Sequence, residues 1–300
     1  YRFPFYMVKI ENNLEEGLYR ILLRPNQSTD WKSSLIFISI IAFTCLTIGI
    51  GFALAKTLGS EGAKIVIGEP RKDKLKEAVS FLIDLGIDAA ETYLDVTDLK
   101  SVEKFAEFTV GHFGSVDMLI NNAGISGARG RIDRVNIKEA KKVFDVNFFG
   151  VWHGCAVFSK KMIEQGTNAA IYNLGSENSL FVAVPKSVAY VASKHAVLGL
   201  SESLRNDLPD YIHVGTIFPG YVDTPLTGEV EGGMNADEFA NIVKKQIKNE
   251  EHIIVSHAYN SVHIEKRNNE ITSAYKKYAP RYDGDDIYDV KTILKNFKSK

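Results

Sequence analysis

The sequence predicts an α/β fold: a mostly parallel sheet with helices on both faces. Two observations predict it. Short apolar segments alternate with helical stretches of roughly 10–15 residues from about residue 51 to residue 218, the pattern of βαβ units. Several of those segments are unbroken apolar runs, as parallel strands covered on both faces are. The 300 residues, 45% apolar and 24% charged, can bury a sizeable core. Right-handed crossovers would then distribute the helices over both faces.

Residues 1–32 match no fold signal and read as an extension with little core of its own. The chain begins with Tyr1 rather than Met, which reads as a fragment, a processed chain or an imperfect gene product. Residues 33–55 carry no charge and lie between Lys32 and Lys56. About 20 apolar residues satisfy the length of a membrane helix. Residues 35–43 also read as a buried first strand followed by a turn and a helix start. The strand is preferred, because a membrane helix there removes the middle of the sheet.

The later elements follow in order. A helix is expected at 52–58 and a strand at 63–68. Residues 72–85 place Leu75, Ala78, Val79, Leu82 and Leu85 at helical spacing. A strand at 88–94 leads to a helix at 101–113, and a strand at 116–120 ends at Asn121. A long helical region is expected over 138–161, then a strand at 169–174, a helix at 188–208 and a strand at 211–218. Beyond Thr224 the alternation fades. Gly228, Gly232 and Gly233 precede a helix at 236–248, and 253–255 reads as an edge strand. The predicted domain spans 33–258, with a substrate-loop region at about 225–248 and a helical, polar tail at 259–300. The acid run at 283–286 reads as a solvated turn rather than a metal loop.

A net charge of −1 argues against a nucleic-acid binder, which usually carries a basic face. Two cysteines, Cys45 and Cys155, are too few for a disulfide framework and fit a reducing, cytoplasmic setting. No Cys/His cluster has zinc spacing, so no metal site is expected.

Chemistry-bearing residues concentrate after residue 120. Tyr190 and Lys194 are four apart on a helix and share a face. An ammonium beside a phenol favours phenolate and makes a usable acid/base. Ser176 closes a strand upstream and could donate to a developing oxyanion; Ser179 competes with it. The Asn121-Asn122-Ala123-Gly124 run leaves a strand where a ligand could approach the sheet, although Asn and Gly also make ordinary turns. Asn147 lies in an apolar helical stretch, where Asn is a weak helix former; it serves either a helix distortion with a water or a buried structural role. His195 faces about 100° away from Lys194 and reads as packing or solvent-facing.

In order and spacing, Asn121–Gly124, Asn147, Ser176, Tyr190-x-x-x-Lys194, and Pro219-Gly220 with Thr224 resemble the short-chain dehydrogenase/reductase family from about residue 35 to 225. The resemblance implies a three-layer, doubly wound Rossmann fold with a mostly parallel seven-stranded sheet. It implies NAD(P)-dependent hydride transfer between a nicotinamide and a small-molecule alcohol or carbonyl. Tyr190 would be the acid/base, Lys194 would lower its pKa and hold the ribose, Ser176 would orient the substrate oxygen, and Asn147 would hold a relay water. Cofactor contacts would come from Thr44, Gly49, Ile50 and Gly51 at the phosphate turn, Asp95 and Val96 at adenine, Asn121, Ala123 and Gly124 beside the cofactor, and Pro219, Gly220, Val222 and Thr224 along the nicotinamide. Glu69, ending the second strand, sits where NAD users of the family carry an acid. It predicts NAD over NADP, with Arg71 two residues on softening the repulsion of a 2′-phosphate. The resemblance also implies a homodimer or homotetramer through 138–161 and 188–208. Pocket walls are expected from 179–185 and 226–239. Leu180, Phe181, Val182, Met234 and Phe239 point to an apolar substrate.

One departure stands out. The family's Thr-Gly-x-x-x-Gly-x-Gly turn here places Cys45 at the first glycine and Leu46, Thr47 and Ile48 between the glycines. A Cβ and bulky side chains there obstruct a pyrophosphate. This admits two rival readings: a catalytically weakened or silent binding protein, and a membrane-anchored form using 33–55.

Overall fold

The computed structural model describes residues 39–44, 49–127, 129–224, 226 and 232–298. Among these residues seven strands form a single parallel sheet: β1 (Ile40–Thr44), β2 (Lys64–Glu69), β3 (Ala89–Tyr93), β4 (Met118–Asn121), β5 (Ala169–Leu174), β6 (Ile212–Phe218) and β7 (Ile253–Val255). Their spatial order is β3-β2-β1-β4-β5-β6-β7. The order reverses direction between β1 and β4, and such a switch opens a crevice at the carboxyl ends of the strands.

The apolar runs follow from burial on two faces. All five residues of β1 are buried. Ile41 and Phe43 point to one side, Ile40 and Ala42 to the other. The first side packs against helices α1 (Ile50–Gly59), α2 (Lys72–Asp84) and α7 (Ala236–Lys248) through Leu54, Leu58, Leu75, Val79, Phe239 and Val243. The second packs against α3 (Leu99–Phe113), α5 (Gly150–Gln165) and α6 (Val188–Asp207) through Val102, Phe105, Phe158, Met162 and Val197. These two layers around the sheet make the three-layer, doubly wound α/β fold expected from the sequence. The edge strand β3, AAETY, is only partly buried, and its polar residues reflect that.

The helical region expected over 138–161 is present and changes geometry midway. Helix α4 (Ile137–Phe144) passes through a π-helical turn, Asp145–Phe149, into α5. The turn centres on Asn147, whose amide bonds a neighbouring loop. Phe239 is not a pocket wall; it is fully buried in the core on α7. Over its described part the uncharged 33–55 stretch is the strand and helix start preferred from the sequence, with 40–44 strand and 50–59 helix. Residues 33–38 and 45–48, with Cys45 and most of the phosphate turn, lie outside the described residues. Among the described residues no helix is long and apolar enough to cross a membrane.

After β7, helix α8 (Asn260–Tyr278) buries no residue, and α9 (Val290–Lys298) follows a short 3₁₀ turn. In that turn Asp285 pairs with Arg281 at 2.7 Å.

Candidate active site

A cavity of about 530 Å³ opens at the carboxyl ends of the strands. It runs from Glu69 and Arg71, past Asp95, Val96 and the start of α1, to Ser176, Tyr190 and Lys194.

The catalytic end is built by β5 and α6. Ser176, two residues beyond β5, caps a 3₁₀ turn and accepts from Asn178 N at 3.1 Å. It lines the cavity together with the Tyr190 phenol. Asn178 Oδ1 accepts from Ala183 N and Val184 N at 3.0 and 3.1 Å, so the next loop is tied down at this corner. Helical spacing puts Lys194 beneath Tyr190, its Nζ 5.9 Å from the ring centre. That Nζ donates to Leu174 O at 2.7 Å, and the residue is 3% exposed.

Burial dominates the ionisation of this pair. It pulls the Lys194 ammonium down to about 8. It pushes the Tyr190 phenol above its ordinary value; the neighbouring Ser176 hydroxyl opposes this and the Glu177 charge adds to it. The expected lowering of Tyr190 by Lys194 is therefore not the leading effect in the free protein. Desolvation of a phenolate outweighs it here, and Ser176 supplies the downward pull.

Four other expected site residues stand behind the cavity wall. Asn147 is fully buried. Its Oδ1 accepts from Ile125 N at 2.8 Å, and its Nδ2 donates to Ile125 O at 2.9 Å and Ser193 Oγ at 3.2 Å. Ser193 Oγ in turn donates to Tyr190 O at 2.7 Å. Thr44 Oγ1 accepts from Asn122 N and Ala123 N at 3.0 and 3.2 Å and so ties the loop after β4 to β1. Asn121 donates to Asn173 Oδ1 at 2.8 Å below the sheet's edge, and its neighbour Asn122 lines the cavity instead. Gly51 is buried in the first turn of α1. Ser179 also turns away, its hydroxyl donating to Lys194 O at 2.7 Å. His195 bonds its own helix at Val191 O, 3.0 Å away.

The remaining expected residues line the cavity: Gly49, Ile50, Glu69, Asp95, Val96, Ala123, Gly124, Pro219, Gly220, Val222 and Thr224. Gly49 precedes α1 with φ 95°, a conformation that favours glycine, and brings backbone close to the ligand path. Gly124 leaves open the space between Asn147 Oδ1 and Lys194 Nζ, which a Cβ would meet at 3.6 and 3.7 Å. At the far end Glu69 is fully buried, and Arg71 grips it with Nε to Oε1 at 2.7 Å and Nη2 to Oε2 at 3.1 Å. The sequence reading missed Pro70, Leu94, Ile125, Val146 and Gly175 as lining residues. Each lies within one or two positions of a strand end or motif residue, and that proximity was the available signal.

A carboxylate at one end, a helix N-terminus midway and a hydroxyl–phenol–ammonium set at the other fit a dinucleotide. The comparisons agree. The family model described as short chain dehydrogenase matches residues 39–235. The chain is 35% identical over 190 residues to a 1-deoxy-11-beta-hydroxypentalenate dehydrogenase of Streptomyces avermitilis, covering 63% of this chain and 70% of that protein. Its fold is similar to a short chain dehydrogenase/reductase of Burkholderia phymatum in complex with NAD, with TM-score 0.74, 26% identity and coverage of 79% of this chain and 96% of that one. It is also similar to an alcohol dehydrogenase of Thermococcus sibiricus complexed with 5-hydroxy-NADP, with TM-score 0.66, 25% identity and coverage of 73% and 95%. The chain belongs to the short-chain dehydrogenase/reductase family, the NAD(P)-dependent oxidoreductases that act on CH–OH and C=O groups.

Proposed function

We propose that this protein transfers a hydride between NAD(H) and an apolar alcohol or carbonyl compound, with Tyr190 as the proton donor and acceptor. The observation that carries the reading is the convergence of Ser176, Tyr190 and Lys194 on one cavity wall, with the Lys194 Nζ buried 5.9 Å from the Tyr190 ring centre. A bound nicotinamide supplies the carbon that takes or gives the hydride. The protein's own groups handle the proton. In reduction the Tyr190 hydroxyl passes its proton to the carbonyl oxygen as charge develops there; in oxidation the phenolate takes the proton of the alcohol. The Ser176 hydroxyl orients that oxygen and stabilises its charge. Lys194, held by Leu174 O, keeps a positive charge near the phenolate and has donors left for a ribose hydroxyl. Asn147, through Ser193 and the loop at Ile125, holds the turn that carries Tyr190 against the cavity.

Preference for NAD rests on Glu69. Its carboxylate lines the far end of the cavity, where a carboxylate can accept from ribose hydroxyls and repels a 2′-phosphate. The half-exposed Phe149 and Trp152 at the start of α5 support a contact with a second copy. Titration of the purified chain with NADH, and with NADPH alongside, by fluorescence tests the cofactor reading. Micromolar binding that is tighter for NADH is the expected result. Failure of a folded chain to bind either would favour the silent-protein reading. A kcat/KM ratio favouring NADPH would reverse the preference.

A further inference from the structure

Pro219, Gly220, Val222 and Thr224 form a strap along one wall of the cavity. The strap is fixed at three points. Pro219 O accepts from Glu177 N at 2.8 Å, and Tyr221 O and Asp223 N pair with Met234 N and Met234 O, each at 2.9 Å. The third point is His257, which follows β7 and does not line the cavity.

The hydrogen bonds of His257 require one tautomer. Its Nε2 lies 3.1 Å from Tyr221 O, a carbonyl that can only accept, so Nε2 carries the proton. Its Nδ1 lies 3.2 Å from Gly220 N, a group that can only donate, so Nδ1 is the acceptor. The Ser256 hydroxyl, 2.8 Å from Nδ1, then donates as well. The ring lies flush on Gly220: a Cβ at 220 would come within 2.4 Å of a ring carbon. The chain on the far side of His257 is also anchored, because His263 stacks on Phe181 with ring centres 4.8 Å apart and Tyr259 packs edge-on against His263 at 5.6 Å. The ring therefore cannot back away from the strap without unstacking the start of α8.

We propose that His257 is a positioning residue that sets the pose of residues 219–223 and thereby the nicotinamide end of the cofactor site. The inference rests on the dinucleotide reading above. It separates His257 from groups that touch cofactor or substrate: His257 acts through Gly220 and Tyr221 alone. Its effect should fall on the nicotinamide and spare the adenosine half, which lies at Glu69 and Asp95.

The test compares dissociation constants for NADH and for ADP-ribose, which lacks the nicotinamide, in the full chain. His257→Phe keeps an aromatic ring and removes both nitrogens. Each hydrogen bond is worth roughly two- to tenfold in affinity. NADH binding should weaken about tenfold while ADP-ribose binding stays within about twofold. His257→Asn restores an acceptor toward Gly220 N and should recover part of the loss. Ser256→Ala, which leaves the ring in place, should give a smaller loss in the same direction and serves if the Phe variant does not fold. Equal weakening of both ligands, or unchanged NADH binding in a folded variant, overturns the inference. Failure of the wild-type chain to bind either ligand overturns the dinucleotide reading instead, and the inference with it.

Discussion

At the catalytic end of the cavity the charged group is sealed in: Lys194 is 3% exposed and anchored on the backbone oxygen of Leu174. At the ribose end the charges are arranged the other way. Glu69 is buried, but its partner Arg71 reaches it from solvent with a side chain 63% exposed. A buried ammonium held by a carbonyl cannot be moved without leaving an unpaired polar group in a dry site. A guanidinium that reaches in from solvent can turn to a second anion, provided that the buried carboxylate keeps a donor. The difference teaches which property of the protein is adjustable: the proton chemistry is locked by burial on every side, whereas the choice between two nucleotides depends on an ion pair with one member in solvent.

The strongest way to break this comparison is at the phenol. Tyr190→Phe removes the proton donor and little else. Turnover should fall by about 10²–10⁴-fold with NADH binding largely unchanged, because the lost group acts in the transition state. Steady-state rates beside a fluorescence titration measure both. Retained turnover would take Tyr190 out of the mechanism and remove the contrast.

Lys194 offers the next largest effect. Burial holds it at about 8 in the folded protein, against an ordinary value near 10.4 in an unfolded chain. Between those values the unfolded chain binds more protons. Folding stability contributed through this group therefore rises as pH increases through that window, and its penalty is full below about 8. Lys194→Met removes the titration. The stability of the variant minus that of the wild type should decline between pH 7 and pH 10.5 by on the order of 3 kcal/mol. Urea unfolding across that range reads it out, and parallel curves would mean that Lys194 is more hydrated than its burial implies.

How far these two ends could be read from sequence differs for a physical reason. The order of strands and helices was legible because burial on both sheet faces writes unbroken apolar runs such as residues 40–43 into the chain. Tyr190 and Lys194 were legible because helical periodicity alone puts four-apart residues on one face. Asn121 and Asn122 were not separable: strand β4 runs to Asn121 and pairs it with Asn173, so the next residue reaches the cavity, and that depends on register. The π turn at Asn147 was legible only as a misfit, since its partner Ile125 is 22 residues away. His257 was invisible because its partner Gly220 lies 37 residues upstream and neither carries a motif that names the other.

The ribose end predicts a smaller change with a clear sign. Glu69→Ala removes the carboxylate and leaves the Arg71 guanidinium to meet a 2′-phosphate, which it can grip bidentately. The ratio of kcat/KM for NADPH over NADH should rise at least about tenfold, a shift of roughly 1.4 kcal/mol. Arg71→Ala should move the ratio less, in the opposite direction. If Glu69→Ala leaves the ratio where it was, nucleotide choice resides elsewhere and the ribose end is as fixed as the catalytic one.

Between the two ends stands Gly49, and it gives the mildest effect. Its φ of 95° and ψ of −150° lie in a region nearly restricted to glycine, and an added Cβ would also approach Thr224 Cβ to 3.2 Å. Strain of about 1–3 kcal/mol must then be relieved by moving either the start of α1 or the strap at Thr224. Gly49→Ala should lower the melting temperature by a few degrees. It should weaken NADH about fivefold, as the helix N-terminus shifts from the phosphate path. ADP-ribose retains the pyrophosphate, so it should weaken by the same factor, unlike the nicotinamide-selective loss expected of His257→Phe. A selective effect of Gly49→Ala on NADH would instead mean that the strain runs out through Thr224, joining the middle of the cavity to its nicotinamide wall.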